Sequence, residues 1–368
     1  MSEPPIFRLD RGVRERQPHA AGPGELLDAA GYAVGVDVGG TSTKLGLVDP
    51  QGQIVVRDVI ETGSLSEPRT ACEHFHRFAL AALDSLDADA DSLAVGVAVP
   101  GILDLRSGEL EYVANLPRWR RFPLRQTLQT IFEGPVAIAN DANAAAFAEH
   151  SRRQLIDESL ALLTLGTGIG CGVVMGGSPY GGDHGCGFEI GHVPVEFGPH
   201  ARTCGCDCPG HVEAYVGAAG VVRTLRELEA GAGGSSEPLA DPVGEITPQQ
   251  IAAAAEQGHP LALATIDRTA DWVGIAASIL CQTLDPSFIL LGGAMTFGGH
   301  ASPIGQAFLD RVIATNRRYS LDSVGHRVVI DFATLGNDAG ICGISELARQ
   351  GAPIRSDKAR MQARYASM

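Results

Sequence analysis

The chain has 368 residues, 45% of them hydrophobic and 19% charged, with a formal net charge of −15. That is the balance of a globular protein long enough for two domains with cores of their own. The negative charge excludes a nucleic-acid backbone as the main partner, because that calls for a basic face, while a nucleotide needs only local N–H groups and Mg²⁺. There is no run of about 18 apolar residues, so no membrane-spanning helix is expected.

Residues 1–30 mix Pro, Gly and charge without a period and are expected to form a mostly disordered extension. They contain no apolar stretch of the secretory type, so a cytoplasmic setting is the expectation. They are also too few to supply a helix-turn-helix domain. From Ala33 the chain reads AVGVDVGGTSTKLGLVD. This predicts a strand, a tight turn at Gly39-Gly40, and a returning strand from Lys44 to Val48. Glycines let a backbone approach a phosphate closely, and successive N–H groups form an anion-binding nest. Thr41 and Thr43 add hydroxyls, and Asp37, just before the turn, is placed to hold Mg²⁺ through water.

Ser92 to Val99 reads as a buried strand ending at Pro100-Gly101, and Val136 to Ala139 as another. The second is followed by Asn140-Asp141-Ala142-Asn143 and an alanine-rich helix. A carboxylate at that helix start is kept ionised by the helix dipole. It serves either as an N-cap or as a general base at the carboxyl end of a strand, where ligands collect in open α/β sheets. From Leu160, LALLTLGTGIGCGVVMGG repeats the strand–glycine turn–strand unit, with Thr167 inside the turn. Neither glycine turn is a Walker A or a dinucleotide-binding fingerprint, whose spacing and helix context differ.

The stretch from Gly187 to Glu213, GFEIGHVPVEFGPHARTCGCDCPGHVE, places Cys204, Cys206 and Cys208 within five residues, flanked by His192 and His211. Thiolates and imidazoles at this spacing read as a zinc site, and four protein ligands leave no open position, which makes it structural. Glu189 and Glu213 lie close to the two histidines in sequence, so a metal closed over this loop would fix both carboxylates. The other cysteines (Cys72, Cys171, Cys186, Cys281, Cys342) read as packing residues. Residues 229–246 read as an exposed loop, Phe288 to Leu291 as a strand leading to Gly292-Gly293, and Arg327 to Ala333 as a strand before a last helix through Ala348. Residues from Ala352 onward read as a surface tail. Strands alternating with helices give an α/β architecture.

In this order, Asp37-Val-Gly39-Gly40-Thr41, Asn140-Asp141-Ala-Asn143, Leu165-Gly-Thr-Gly-Ile-Gly170, Glu189-Ile-Gly-His192, Cys204 to Glu213 and Leu291-Gly292-Gly293 resemble the ROK family of sugar kinases, within the actin/hexokinase-like ATPase superfamily. The resemblance runs from Val34 to Leu347. It implies a two-lobed, ribonuclease H-like α/β fold with a ligand cleft between the lobes. An N-terminal lobe of 31–139 plus 337–352 and a C-terminal lobe of 140–336, containing the catalytic helix, would sit between the extension at 1–30 and a tail at 353–368.

The resemblance also implies ATP and Mg²⁺, with Asp37, Gly39, Gly40, Thr41, Thr43, Gly166, Thr167, Gly168, Gly292 and Gly293 on the nucleotide. Asp141 would be the general base, and Asn115, Asn140, Glu189, His192 and Glu213 would join it in holding the sugar. By register the structural Zn²⁺ would be held by His192, Cys204, Cys206 and His211; the family has a third cysteine at the place of His211, and Cys208 is the alternative ligand. Asn115-Leu-Pro-Arg-Trp119 and Glu213-Ala-Tyr215 are similar to the glucokinase branch, implying phosphorylation of the 6-hydroxyl of glucose by a homodimer or homotetramer. An N-acylhexosamine or another hexose is the alternative substrate. A non-catalytic, sugar-responsive regulator is the alternative class, and it would require an N-terminal DNA-binding domain.

Overall fold

The computed structural model describes residues 31–86, 88, 93–113, 116–232, 239 and 246–351. The extension expected over 1–30, Asn115, most of the loop expected over 229–246 and the tail from Ala352 lie outside these residues. In chain order the elements begin with β1 (Ala33–Val38), β2 (Ser42–Val48), β3 (Ile54–Glu61), α1 (Pro68–Asp84), β4 (Ala94–Val99), β5 (Ile102–Leu103) and β6 (Leu110–Tyr112). Next come α2 (Leu124–Ile131), β7 (Val136–Asn140), α3 (Asp141–Arg152), β8 (Leu160–Leu165), β9 (Ile169–Met175), β10 (Ser178–Pro179), α4 (Glu213–Val216), α5 (Ala218–Gly231) and α6 (Pro248–Glu256). The chain continues with α7 (Pro260–Leu284), β11 (Phe288–Gly292), α8 (Pro303–Tyr319), α9 (Asp322–Gly325), β12 (Val329–Phe332) and α10 (Ala339–Arg349). Among the described residues no helix is long and apolar enough to cross a membrane.

Two compact units divide the chain: one within Met1–Gln154, Ser178–Gly187 and Asn337–Met368, the other of Leu155–Gly177 and Phe188–Gly336. In the first, the strands run β3-β2-β1-β4-β7. β1 and β2 form the expected antiparallel hairpin, and β1, β4 and β7 are parallel. Alternation sends Val34, Val36 and Val38 of β1 into a core shared with Phe75 and Phe78 of α1 and Leu128 of α2. On the other face α10 lies directly on the sheet, because Gly96 has no side chain: a Cβ there would lie 2.2 Å from the Ile344 carbonyl oxygen. α3 crosses α10 as closely, the Cβ position of Gly343 falling 1.8 Å from the Ala144 carbonyl oxygen.

That crossing moves a boundary. The sequence expectation assigned the helix starting at Asp141 to a C-terminal lobe of 140–336, whereas α3 packs on α10 and belongs to the first unit, which runs on to Gln154. Residues 178–187 belong there too, with the Cβ position of Gly185 against the Leu103 carbonyl oxygen.

In the second unit β9, β8, β11 and β12 lie side by side, β8 and β9 antiparallel and β8, β11 and β12 parallel. The order hairpin, then parallel neighbour, is that of β2-β1-β4, so the repeated strand–glycine turn–strand unit is a repeat of topology as well. Its core joins Leu163, Ile169 and Leu291 of the sheet to Leu225, Val273 and Phe308 of α5, α7 and α8. Cys72, Cys171 and Cys281 are core residues, whereas Cys186 is exposed.

Candidate active site and metal centre

In the first unit the hairpin register sets Asp37 opposite Lys44, and Lys44 Nζ lies 3.5 Å from Asp37 Oδ2. The same ammonium donates to the Asn337 carbonyl oxygen at 3.3 Å. Burial holds the Asp37 carboxyl above its usual pKa, and Lys44 opposes that rise. The turn that follows is closed by Gly39 N–H donating to the Ser42 carbonyl oxygen at 3.1 Å. Thr62 Oγ1 donates to the Gly39 carbonyl oxygen at 2.8 Å, so Thr43, 3.0 Å away, donates its hydroxyl proton to Thr62.

Two sequence expectations change here. Thr43 is fully buried with its hydroxyl committed to Thr62, so it shapes the turn and is not presented to a phosphate. The Gly39 amide is likewise used inside the turn. Gly40 and Thr41 are the exposed residues at its tip.

Across the sheet, Asp37 is opposite Ala98, and Ala98 opposite Ala139. Asp37 and the Asn140-Asp141 step therefore stand at the same carboxyl edge of three parallel strands, about 10 Å apart by strand spacing. Asn140 is the N-cap of α3: its side-chain oxygen accepts from Ala142 N–H at 3.0 Å and Asn143 N–H at 3.3 Å. Its amide nitrogen lies 3.4 Å from the Gly101 carbonyl oxygen as a long donor contact. The capping reading thus falls to Asn140, leaving Asp141 as the first helical residue, where its Oδ1 accepts from Ala142 N–H at 2.8 Å.

In the second unit Gly166 N–H donates to the Gly168 carbonyl oxygen at 2.9 Å, and Ala218 N–H at the start of α5 reaches the carbonyl oxygens of Gly166 and Thr167. Glu213 lies against this turn. Its Oε2 accepts from Ile169 N–H at 3.3 Å and sits 2.0 Å from where a Gly168 Cβ would be, so a side chain at 168 would have to displace this carboxylate. Gly293 adopts φ 90°, with its Cβ position 2.3 Å from the Leu165 carbonyl oxygen. Gly292 is a strand residue facing Ala333 and Leu162.

Beside this turn stand His192, Cys204, Cys206 and His211, whose ligand atoms all lie within 4.8 Å of one another. Cys206 Sγ is 3.2 Å from His211 Nδ1, and Cys204 Sγ is 3.8 Å from His192 Nδ1. Ligand atoms around a tetrahedral zinc are about 3.3–3.8 Å apart, from bonds of 2.0–2.3 Å, so these donors fit the ion after small adjustments. Cys208 is outside the four; its carbonyl oxygen accepts from Cys204 N–H at 2.9 Å. Burial pushes the Cys204 thiol up to about 11, and this thiol lies 3.6 Å from Glu213 Oε1. The Glu189 carboxyl, although it reaches solvent, is crowded enough by protein to have its pKa raised; His192 opposes that shift and Glu213 adds to it.

Sequence reasoning missed Lys44, although the two-residue alternation of its strand and the hairpin register place it opposite Asp37. It also missed Arg202, which reads as one more charge in a polar loop and is 6% exposed.

The sequence profile of the ROK family matches residues 33–351. A glucokinase of Halalkalibacterium halodurans is 31% identical over 336 residues, 87% of this chain and 95% of that protein. An N-acetyl-D-glucosamine kinase of Citrobacter koseri is 30% identical over 276 residues, 71% of this chain and 84% of that protein. The crystal structure of a ROK family glucokinase from Streptomyces griseus in complex with glucose and AMPPNP superposes with a TM-score of 0.66 at 29% identity, covering 87% of this chain and all of that one.

Proposed function

Because this chain belongs to the ROK family, we propose that it is an ATP-dependent glucokinase transferring the γ-phosphoryl group to the 6-hydroxyl of glucose. The observation that carries the reading is the placement of Asp141. It is the first residue of a helix whose cap is taken by its neighbour Asn140, at the carboxyl end of a parallel strand. Its carboxylate accepts the hydroxyl proton as the sugar oxygen attacks phosphorus. The bond to phosphorus forms as the bond to the ADP oxygen breaks, and Asp141 holds the proton until product leaves.

Asn140, Glu189, His192 and Glu213 hold the remaining hydroxyls, since carboxylates and amides can each serve two neighbours. The exposed tip at Gly40-Thr41 and the turn Gly166–Gly168 bind the phosphates, and Gly293 brings the backbone towards the adenosine. Asp37 would hold Mg²⁺ through water, and the ion supplies charge neutralisation on the phosphoryl oxygens. His192, Cys204, Cys206 and His211 would hold a structural Zn²⁺ that fixes the His192 tautomer. Such thiolates call for a reducing compartment, which supports a cytoplasmic setting.

The test is an ADP-release assay with Mg-ATP over glucose, mannose, fructose, N-acetylglucosamine and N-acetylmannosamine, run on the wild type and Asp141→Asn. Turnover with glucose is expected, lost by about 10²–10⁴-fold in Asp141→Asn with glucose binding retained. Turnover with N-acetylglucosamine alone would keep the base and replace the substrate. Unchanged turnover in Asp141→Asn would remove the base assignment.

A further inference from the structure

The loop from Val193 to Val212 supplies three of the four clustered Cys/His ligands without a helix or strand of its own, yet its backbone is stitched throughout. Val195 N–H donates to the Gly210 carbonyl oxygen at 2.8 Å, and Gly210 N–H to that of Arg202 at 2.8 Å. Val212 N–H donates to the Val193 carbonyl oxygen at 3.1 Å. Gly210 adopts φ 76° with its Cβ position 1.8 Å from the Glu196 carbonyl oxygen, so only glycine serves there.

Under the loop lies the Arg202 guanidinium. Its Nη1 donates to the carbonyl oxygens of Ala214 at 3.2 Å and Gly220 at 3.1 Å. Its Nη2 donates to Thr224 Oγ1 at 3.0 Å and Glu227 Oε2 at 2.6 Å. The cation stands 4.8 Å over the Tyr215 ring. Tyr215 accepts from Arg202 N–H at 2.8 Å, donates to Glu196 Oε2, and stacks on Trp272 at 4.4 Å. None of these partners is one of the four clustered ligands. A buried guanidinium is tolerated only where acceptors such as these surround it, so this geometry is strongly specified.

We propose that Arg202 and Tyr215 are positioning residues that hold Cys204, Cys206 and His211 in metal-binding arrangement before an ion arrives. Through the Ala214 carbonyl they also set Glu213 against the second glycine turn. The proposal rests on the metal reading given above, and its logic is preorganisation: a ligand set already in place loses little freedom on binding. Arg202 stands two residues before Cys204, and Gly210 directly precedes His211, so the brace and the ligands are adjacent along the chain.

The experiment is zinc affinity by competition with a chromogenic chelator on the full chain, for wild type, Arg202→Lys and Tyr215→Phe. It is paired with hydrogen exchange on chelator-stripped protein. The wild type is expected to bind one equivalent of zinc, and both variants to bind about 10-fold to 100-fold more weakly with an unchanged far-ultraviolet circular dichroism spectrum. Stripped wild-type protein is expected to keep the amides of Val195, Gly210 and Val212 protected. Lysine cannot reach two carbonyls, a hydroxyl and a carboxylate at once, and phenylalanine removes a single oxygen; if Arg202→Lys does not fold, Tyr215→Phe decides alone. Wild-type zinc affinity in the variants, or free exchange of those amides in stripped protein, overturns the brace while leaving the metal site standing. A wild-type chain that takes up no zinc overturns both.

Discussion

The contact between α3 and α10 offers a direct route from packing to catalysis through Gly343→Ala. The added Cβ would lie 1.8 Å from the Ala144 carbonyl oxygen and 3.2 Å from Ala148 N. Ordinary contact begins near 3.4 Å, so the helices must separate by about 1.5 Å, and since the obstructing atoms are backbone, no rotamer change relieves them. Overpacking of this kind costs about 1–3 kcal/mol or more, against about 1 kcal/mol gained from alanine's helix propensity. With a backbone clash this deep the cost falls at the upper end of that range, and the net loss is about 2 kcal/mol. Ala144 is one turn from Asp141, so the shift reaches the proposed base, where a displacement of about 1 Å can lower turnover by about 10²-fold. Urea unfolding followed by circular dichroism reads the first effect, and the ADP-release assay reads the second. Gly231→Ala, at the end of α5 with nothing within 4 Å of the new methyl, is the control and should be neutral or slightly stabilising. A Gly343→Ala protein with wild-type unfolding midpoint and wild-type turnover would refute the argument.

Asn140→Ala removes the α3 cap and should cost about 1 kcal/mol in urea unfolding, whereas Asn140→Ser keeps a capping oxygen and should recover most of that stability; turnover that stays low in Asn140→Ser would mark the amide as a sugar contact. His211→Cys should retain one equivalent of zinc, His211→Ala should lose most of the affinity, and Cys208→Ser should bind as the wild type does. A loss in Cys208→Ser, measured by the same chelator competition, would transfer the fourth ligand to Cys208.

What could be read in advance depended on whether the signal was local. The hairpin at Asp37, the repeated glycine turn and the helix after Asp141 are written in short periods and turn residues, and the structure has all three. Gathering His192 with Cys204, Cys206 and His211 needed only the close spacing of the last three and a register argument for the first. Thr43 was misjudged because a hydroxyl beside a glycine turn looks available until Thr62, 19 residues on, is seen to take it. The allegiance of α3 was misjudged for a similar reason. The strand before it and the turn after it are local, but its packing partner α10 is about 200 residues away in sequence. Arg202 is the extreme case, since its acceptors come from α4 and α5 and leave no mark on the loop that carries it.

The placement of α10 on β1 and β4 also bears on the order in which the molecule is made. Synthesis runs from the N-terminus, so the strand carrying Asp37 and the strand leading to Asp141 are made well before α10, which covers one face of their sheet. Both segments of the second unit, Leu155–Gly177 and Phe188–Gly336, are translated in between. During that interval the Gly96 face of the first sheet is bare backbone and small side chains, a surface open to mispairing. Closure of the first unit is therefore a long-range step, and the sheet that holds the β1–β2 hairpin is covered on this face only when α10 arrives.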